Sequence, residues 1–254
     1  MPILDTPSGK LFYAEKDAPL SKRPPLILVH GVGGSHLVWP AELRRLPDTR
    51  VIAMDLPGHG RSALPGRQSV MAYAESVRHL MQALAIPRAI IAGHSMGGGI
   101  AQAMGVAMPD SVAGLVLLAT GPRLKINPLL LTVRENMEAV ADFVDKWQWS
   151  REIGEDLRRK SRELFMSIDS DVLYGDYLAC DTFAIEDQLP LILAPTLIIG
   201  SDTDKMTPFA LSEALAQGIP NHQLIKLSGP GHMIQLEHGD LVAQHIDRWL
   251  SINA

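Results

Sequence analysis

The chain has 254 residues, a formal net charge of −5 at neutral pH and a hydrophobic fraction of 46%. This composition is typical of a folded globular protein, and the mild acidity argues against nucleic acid or an anionic membrane as partner, because both attract concentrated Lys and Arg. The single cysteine, Cys180, excludes an internal disulfide and fits a reducing compartment.

The first 20 residues lack the apolar core of a secretion signal, and the apolar runs elsewhere are too short to span a membrane, so we expect a cytoplasmic protein. A hairpin is predicted at the start of the chain, with Ile3–Asp5 and Leu11–Ala14 flanking a Pro-Ser-Gly-Lys turn. Five later runs are apolar throughout, as in strands that helices cover on both faces. These runs are Leu26–His30, Val51–Asp55, Ala89–Ala92, Leu115–Ala119 and Thr196–Gly200.

Longer stretches with helical spacing of apolar residues alternate with these strands, which is the pattern of parallel strands joined by crossover helices. The predicted helices are Met71–Leu84, Met96–Ala107, Pro208–Gln217 and Leu241–Leu250. A last strand, His222–Leu227, alternates between apolar and polar residues and is predicted at an edge of the sheet.

Residues from about 123 to 187 interrupt this rhythm, because they contain no convincing strand. Leu129–Trp147 and Arg151–Met166 are predicted as amphipathic helices, with Phe143, Trp149 and Phe165 also among their apolar positions. The charges of the second helix are interpreted as a solvated face with i,i+4 pairs. The whole stretch is predicted to be a helical insertion between two strands.

The most informative motif is Gly-His-Ser-Met-Gly at positions 93–97, which directly follows a strand and precedes a helix. A sharp turn at this point lifts the Ser95 hydroxyl above the sheet and directs the backbone N–H of Met96 at developing negative charge. The flanking glycines remove Cβ atoms that would collide there. Ser95 is therefore the predicted nucleophile.

A second glycine-rich stretch, His-Gly-Val-Gly-Gly at positions 30–34, follows the strand Leu26–His30. It can be a simple turn. It fails the dinucleotide fingerprint because position 36 is histidine, and no Gly-Lys-Ser/Thr follows for a phosphate loop. The remaining functional interpretation is a loop that offers the backbone N–H of Val32 as a second oxyanion donor beside that of Met96.

A nucleophilic serine needs a base. Of the nine histidines, His30, His59 and His94 lie in glycine-rich turns and are predicted to be hydrogen-bonded structural residues. His232 follows the last strand and precedes the last helix, which places it at the same carboxyl edge of the sheet as Ser95. His232 is therefore the predicted base.

The base in turn needs an acid that orients it. The loop after Thr196–Gly200 offers Asp202 and Asp204, and by position either can reach His232 while the other serves as a turn residue. The loop after Leu115–Ala119 contains no carboxylate. The histidines lack metal-site spacing and no cysteine pair exists, so neither a metal nor an organic cofactor is expected.

Several stretches together resemble the α/β-hydrolase superfamily, particularly its small bacterial esterase-like serine hydrolases. They are LILVHGVGGS, VIAMDLPGHGRS, AGHSMGGGIAQ, LVLLATG, PTLIIG, DKMTP and GPGHMIQLEH. The resemblance implies an α/β-hydrolase fold, with a mostly parallel central sheet, helices on both faces and an inserted helical cap. Residues 1–122 and 188–254 would form the core and residues 123–187 the cap. The chain order serine, aspartate, histidine is also that of the family.

The chain departs from the family at the acid, where the family pattern Gly-x-x-Asp falls on Thr203. The family acid also lies four residues before a proline, and Pro208 then favours Asp204 over Asp202. The dehalogenases and epoxide hydrolases of the family use an aspartate nucleophile, so Ser95 argues against both activities.

The sequence therefore predicts a serine hydrolase that cleaves carboxylic esters through Ser95, His232 and Asp204. Its partner would be a small ester, which would be apolar or weakly polar because the predicted cap is apolar. Cys180 would lie in that cap, away from the chemistry. The open alternatives are an enol-lactonase, a carbon–carbon bond hydrolase, a perhydrolase or an acyltransferase with the same residues. Alternatives from other classes are a non-catalytic small-molecule receptor and a protein-interaction module. The oligomeric state is left open.

Overall fold

The computed structural model describes residues 2–253. The strands are β1 (Ile3–Thr6), β2 (Gly9–Lys16), β3 (Leu26–Val29), β4 (Val51–Met54), β5 (Ala89–His94), β6 (Val112–Leu118), β7 (Thr196–Ser201) and β8 (His222–Leu227). The α-helices are α1 (Ala41–Arg44), α2 (Val70–Ala83), α3 (Met96–Ala107), α4 (Met137–Gln148), α5 (Glu155–Met166), α6 (Ser170–Asp181), α7 (Phe209–Gly218), α8 (Ile234–Glu237) and α9 (Gly239–Asn253).

The strands form one sheet in the order β1-β2-β4-β3-β5-β6-β7-β8. The predicted hairpin is confirmed, since β1 and β2 pair in antiparallel register from Ile3↔Phe12 to Thr6↔Gly9. The pair β2 and β4 is also antiparallel, and every later pair is parallel. The sheet is therefore mostly parallel, as predicted, and β8 lies at its edge.

Unbroken apolar strands arise because successive side chains enter two different cores. In β3, Ile27 and Val29 pack in a cluster with side chains of α2 and α3. Leu26 and Leu28 pack on the opposite face with side chains of α1 and α9. Helices thus cover both faces of the sheet, and the carboxyl ends of its parallel strands share one edge.

Residues 123–187, here called the predicted cap, join β6 to β7 and contain α4, α5 and α6. An isolated bridge between Arg123 and Ala184 closes the segment where it leaves the sheet. The stretch predicted as one helix over Leu129–Trp147 is instead a 3-10 helix, Pro128–Thr132, followed by α4. No helix in residues 2–253 combines the length and hydropathy of a membrane span.

The sequence did not predict α6. Its buried positions include Gly175 and Asp176, which break the apolar periodicity that predicts a helix. The charges of α5 were predicted to form i,i+4 pairs, and Arg159 with Glu163 is such a pair. Ion pairs also join α5 to α4, among them Arg158 with Asp145 at 2.8 Å.

Candidate active site

Ser95 occupies the turn between β5 and α3, with φ 53° and ψ −119°. Its N–H donates to the Leu118 carbonyl at 3.0 Å, and its own carbonyl accepts from the Thr120 hydroxyl at 2.8 Å. A positive φ in a residue with a Cβ costs about 1–3 kcal/mol, so the surrounding contacts hold this turn in place. The predicted strand-to-helix turn is present at this position.

Two glycines permit the close packing at this turn. A Cβ added to Gly93 would lie 2.0 Å from the Gly97 carbonyl oxygen, and one added to Gly97 would lie 2.1 Å from the Val29 carbonyl oxygen. Neither position accepts a side chain. The start of α3 therefore packs directly against β3 and β5, and Ser95 immediately precedes the helix.

The two predicted oxyanion donors flank Ser95. A methyl group added to Gly31 would lie 3.0 Å from Ser95 Cβ, so the loop that carries Val32 approaches the serine closely. Met96 opens α3, where the first N–H groups have no intrahelical acceptor. Within residues 2–253, neither the Val32 nor the Met96 N–H donates a backbone or side-chain hydrogen bond. Both are available to an anion.

His232 and Asp204 form a buried pair, with only 4% and 5% of their surfaces exposed. His232 Nδ1 donates to Asp204 Oδ2 at 2.9 Å. The other carboxylate oxygen accepts from the N–H groups of Met206 and Thr207 at 2.8 and 2.9 Å. Burial alone would raise the pKa of Asp204, but His232 and Thr207 hold it below its usual value.

The structure brings Asp204 to His232 and places Asp202 elsewhere. Asp202 is exposed and accepts from the Ser228 hydroxyl at 2.9 Å and the Gly229 N–H at 3.1 Å. These donors hold the pKa of Asp202 below its ordinary value. Asp202 thus closes a surface turn, which is the alternative role that the sequence offered.

The histidines predicted to be structural are all hydrogen-bonded. His94 Nε2 donates to the His232 carbonyl at 3.0 Å. Burial, then the neighbouring His232, lower the pKa of His94 to about 3, so the ring is neutral. His30 Nδ1 donates to the Gly31 carbonyl and its Nε2 accepts from the Leu56 N–H, which uses both nitrogens of a neutral ring.

Sequence reasoning missed one residue of the acid's surroundings. The Thr207 hydroxyl donates to Asp204 Oδ2 at 2.7 Å and lies 3.2 Å from His232 Nδ1. A partial signal existed, because a loop aspartate often accepts the backbone N–H two residues on, but this pattern does not single out the Thr207 hydroxyl.

The loop that carries His232 is attached to the predicted cap. The Gln148 carbonyl, at the end of α4, accepts from the His232 N–H at 2.8 Å. The Glu237 carboxylate accepts from the Gly231 N–H at 3.0 Å and from the Ser150 N–H at 3.3 Å. The contacts with Gln148 and Ser150 were not visible in the sequence, because they join residues more than 80 positions apart.

A cavity of about 700 Å³ is lined by Val32, Ser95 and His232. About half of its apolar side chains come from the predicted cap, namely Leu124, Ile126, Leu130, Val144, Leu157, Leu164, Phe165 and Ile168. Trp147 instead stacks against Phe143, with ring centroids 5.9 Å apart. The volume lies in the range of small-molecule sites.

The prediction that Cys180 lies away from the site is wrong, since this residue lines the same cavity. The sequence placed it in a segment whose third helix it did not predict, and α6 turns Cys180 inward. Burial raises the pKa of the thiol far above its ordinary value, so the sulfur stays protonated. In residues 2–253, no three His, Cys, Asp or Glu side chains gather as a possible metal site.

Comparison with known proteins identifies the family of this chain. The sequence model of the alpha/beta hydrolase family matches residues 26–245. The chain is 31% identical to the dihydrolipoyllysine-residue acetyltransferase component of an acetoin cleaving system from Pseudomonas putida, over 87% of this chain and only 62% of that protein's length. It is 29% identical to 2-hydroxymuconate semialdehyde hydrolase from Pseudomonas putida, over 89% of this chain and 87% of that one.

Among solved structures, a thermophilic esterase from Thermogutta terrifontis superposes with a TM-score of 0.86 at 26% identity. The match covers 100% of this chain and 99% of the esterase. The predicted α/β-hydrolase fold, with a mostly parallel sheet and helices, is thereby confirmed.

Proposed function

The chain belongs to the alpha/beta hydrolase family, and we propose that it hydrolyses carboxylic esters through Ser95, His232 and Asp204. The observation that carries the proposal is the pairing of His232 Nδ1 with Asp204 Oδ2 at 2.9 Å, beside the cavity that Ser95 lines. Because Nδ1 donates to the carboxylate, Nε2 is the basic nitrogen of the neutral ring. The likeness to a thermophilic esterase supports an ester as substrate.

In this mechanism Ser95 Oγ attacks the ester carbonyl carbon while His232 takes its proton, and Asp204 stabilises the resulting imidazolium. The carbonyl oxygen becomes negative and accepts from the N–H groups of Val32 and Met96. Removal of one such donor costs about 3–4 kcal/mol in the transition state. His232 then protonates the leaving alcohol, and water cleaves the acyl-enzyme by the same steps.

The cavity supports a small, apolar or weakly polar ester. Most of its exposed wall is apolar, and residues 123–187 supply about half of the apolar side chains. We infer that this segment acts as a cap that closes the substrate against the sheet edge. Apolar walls strengthen the oxyanion hydrogen bonds, because they exclude water from the reacting atoms.

The proposal is tested with p-nitrophenyl esters from acetate to octanoate and with a fluorophosphonate probe, in the wild-type protein and in Ser95→Ala. Ester turnover together with probe labelling at Ser95, both absent in the variant, is the expected result. Labelling without turnover of any ester contradicts an esterase and favours a receptor or a specialised hydrolase. Absence of labelling contradicts a serine nucleophile altogether.

A second candidate follows from the 2-hydroxymuconate semialdehyde hydrolase, which aligns over most of both chains. The same three residues would act on a substrate that is not an ester. The comparison that decides is kcat/KM for 2-hydroxymuconate semialdehyde against kcat/KM for the best p-nitrophenyl ester. A higher value for the semialdehyde replaces the ester proposal.

A further inference from the structure

Asp176, on the inner face of α6, is a fully buried carboxylate that the proposed mechanism does not use. Its Oδ2 accepts from the Gly33 N–H at 3.0 Å and from His59 Nε2 at 2.8 Å, and its Oδ1 accepts from the Tyr73 hydroxyl at 2.5 Å. An ionised carboxylate only accepts hydrogen bonds, so three donors match it. One residue of the predicted cap is thus joined to three separate segments of the α/β core.

The contact with His59 is a buried ion pair. His59 Nδ1 faces the Pro57 carbonyl at 3.0 Å and Nε2 faces Asp176, so both ring nitrogens donate and the ring is positively charged. Burial opposes this charge, but Asp176 raises the pKa of His59 above its ordinary value. Separation of the two partners would leave each charge buried and uncompensated, which is strongly unfavourable. The ion pair therefore holds the Asp176 carboxylate in place.

The contact with Gly33 concerns the proposed oxyanion loop, because Gly33 directly follows Val32. Its φ of +60° suits glycine, and an added Cβ would lie 2.9 Å from Leu173 Cδ2 and 3.1 Å from Ile168 Cδ1, both in the predicted cap. The hydrogen bond to Asp176 fixes the plane of the peptide that joins Val32 to Gly33. The Val32 N–H belongs to the preceding peptide, which is joined to this plane through the Cα atom of Val32, so the hydrogen bond restrains the loop next to that N–H.

We propose that Asp176 is a positioning residue, which holds the loop of Val32 so that its N–H meets the oxyanion formed at Ser95. In its catalytic consequence this inference rests on the proposed function. The carboxylate itself does not contact the substrate. Substrate enclosure and oxyanion stabilisation thereby depend on one segment of the chain.

Three variants separate positioning from mere stability. Asp176→Ala removes the acceptor of Gly33 together with the other two bonds. Asp176→Asn keeps an oxygen that can accept from Gly33 while its amide faces the Tyr73 hydroxyl, but it lacks the charge that pairs with His59. Tyr73→Phe is the matched control, since it removes a bond to the same carboxylate and leaves the Gly33 contact intact.

The kinetic measurements are kcat and KM for p-nitrophenyl butyrate and the inhibition constant of a trifluoromethyl ketone, whose adduct with Ser95 carries an oxyanion. In Asp176→Ala we expect kcat to fall about 10- to 100-fold with KM nearly unchanged, because one donor is displaced rather than removed. Inhibition should weaken by the same factor. Asp176→Asn should recover most of kcat although its melting temperature is lower, and Tyr73→Phe should keep kcat within about threefold.

Hydrogen exchange at residues 30–36 tests the anchor independently of turnover. Faster exchange there in Asp176→Ala than in Tyr73→Phe supports the anchor, and equal exchange overturns it. If the wild-type protein neither turns over esters nor reacts with a fluorophosphonate, the proposed function fails while this measurement still decides the anchor.

Wild-type kcat in folded Asp176→Ala, or an equal loss in Tyr73→Phe, overturns the positioning role. If the alanine variant does not fold, Asp176→Ser takes its place. The serine oxygen lies one bond closer to the backbone than the aspartate oxygens, so it shortens the reach towards Gly33.

Discussion

The backbone N–H of His232 donates to the carbonyl oxygen of Gln148 at 2.8 Å. Gln148 is the last residue of α4, so the proposed base is attached to the end of a helix in the predicted cap. On the other side of the cavity, Asp176 of α6 accepts from Gly33 in the proposed oxyanion loop. Two helices of one inserted segment therefore contact both halves of the proposed catalytic machinery.

A methyl group at position 231 tests the first of these attachments. In Gly231→Ala the new Cβ would lie 2.5 Å from Ser150 N and from the Trp149 carbonyl carbon, so the loop of His232 must move away from α4. We expect kcat for p-nitrophenyl butyrate to fall about 10- to 100-fold, as displacements near 1 Å do in catalytic groups. Gly154→Ala is the control, because nothing lies within 4 Å of its added Cβ. Wild-type kcat in Gly231→Ala contradicts the attachment.

Ser95 allows activity and stability to be separated. Ser95→Ala and Ser95→Gly should both lower kcat about 10⁴-fold or more, since the nucleophile is lost. Their free energies of unfolding should differ, because the φ of 53° strains alanine but not glycine. We expect the glycine variant to be more stable by about 1 kcal/mol, measured by urea denaturation. An alanine variant of equal or greater stability would show that this turn stores no strain.

The two aspartates near His232 make a matched pair. Asp204→Asn removes the acceptor of the His232 Nδ1 proton, and we expect kcat to fall about 10³- to 10⁴-fold through the wrong tautomer of the ring. Asp202→Asn should leave kcat within about threefold, because within residues 2–253 that side chain hydrogen-bonds with Ser228 and Gly229. The reverse outcome would reassign the acid to Asp202.

His94 predicts how stability depends on pH. Burial and His232 lower its pKa to about 3 in the folded chain, whereas an unfolded histidine has a pKa of about 6.5. Below about pH 6.5 this histidine becomes protonated in the unfolded chain, whereas in the folded chain it stays neutral down to about pH 3. The free energy of unfolding therefore has its full value above about pH 6.5 and falls towards pH 3, by at most about 1.4 kcal/mol per pH unit for this group.

The check is urea denaturation of wild type and His94→Gln between pH 7 and pH 4. The glutamine amide can still donate to the His232 carbonyl but does not titrate, so the variant should lose stability less steeply as the pH falls. Part of the slope remains in both proteins, because burial also lowers the pKa of His30. Equal slopes would mean that His94 is not held neutral in the fold.

The sequence predicted those features that local pattern determines. Strands such as Leu26–Val29 are apolar at every position because both faces are covered, and the turn at Ser95 follows from glycines that sit beside it in the chain. His232 was predicted as the base from its place after the last strand. For the acid, position alone left two aspartates open, and only the resemblance to the family, through the spacing to Pro208, favoured Asp204.

The features that escaped prediction depend on contacts between distant segments. Asp176 binds the N–H of a residue 143 positions away, and no local pattern announces such a partner. The same residue kept α6 from being predicted, because a buried carboxylate places a polar residue on the otherwise apolar face of the helix. Cys180 was misplaced for that reason, since its orientation depends on the helix that was missed.

Residues 123–187 form about half of the apolar wall of the cavity and also reach His232 and Gly33 through α4 and α6. Exchange of this segment with that of a relative would therefore alter reaction rate together with substrate preference. A chimera keeps its rate only if the incoming segment brings a carboxylate opposite Gly33 and a helix end beneath His232. On the roles proposed for these contacts, substrate preference and turnover rate change together when this segment is exchanged, so engineered variants have to be screened for both.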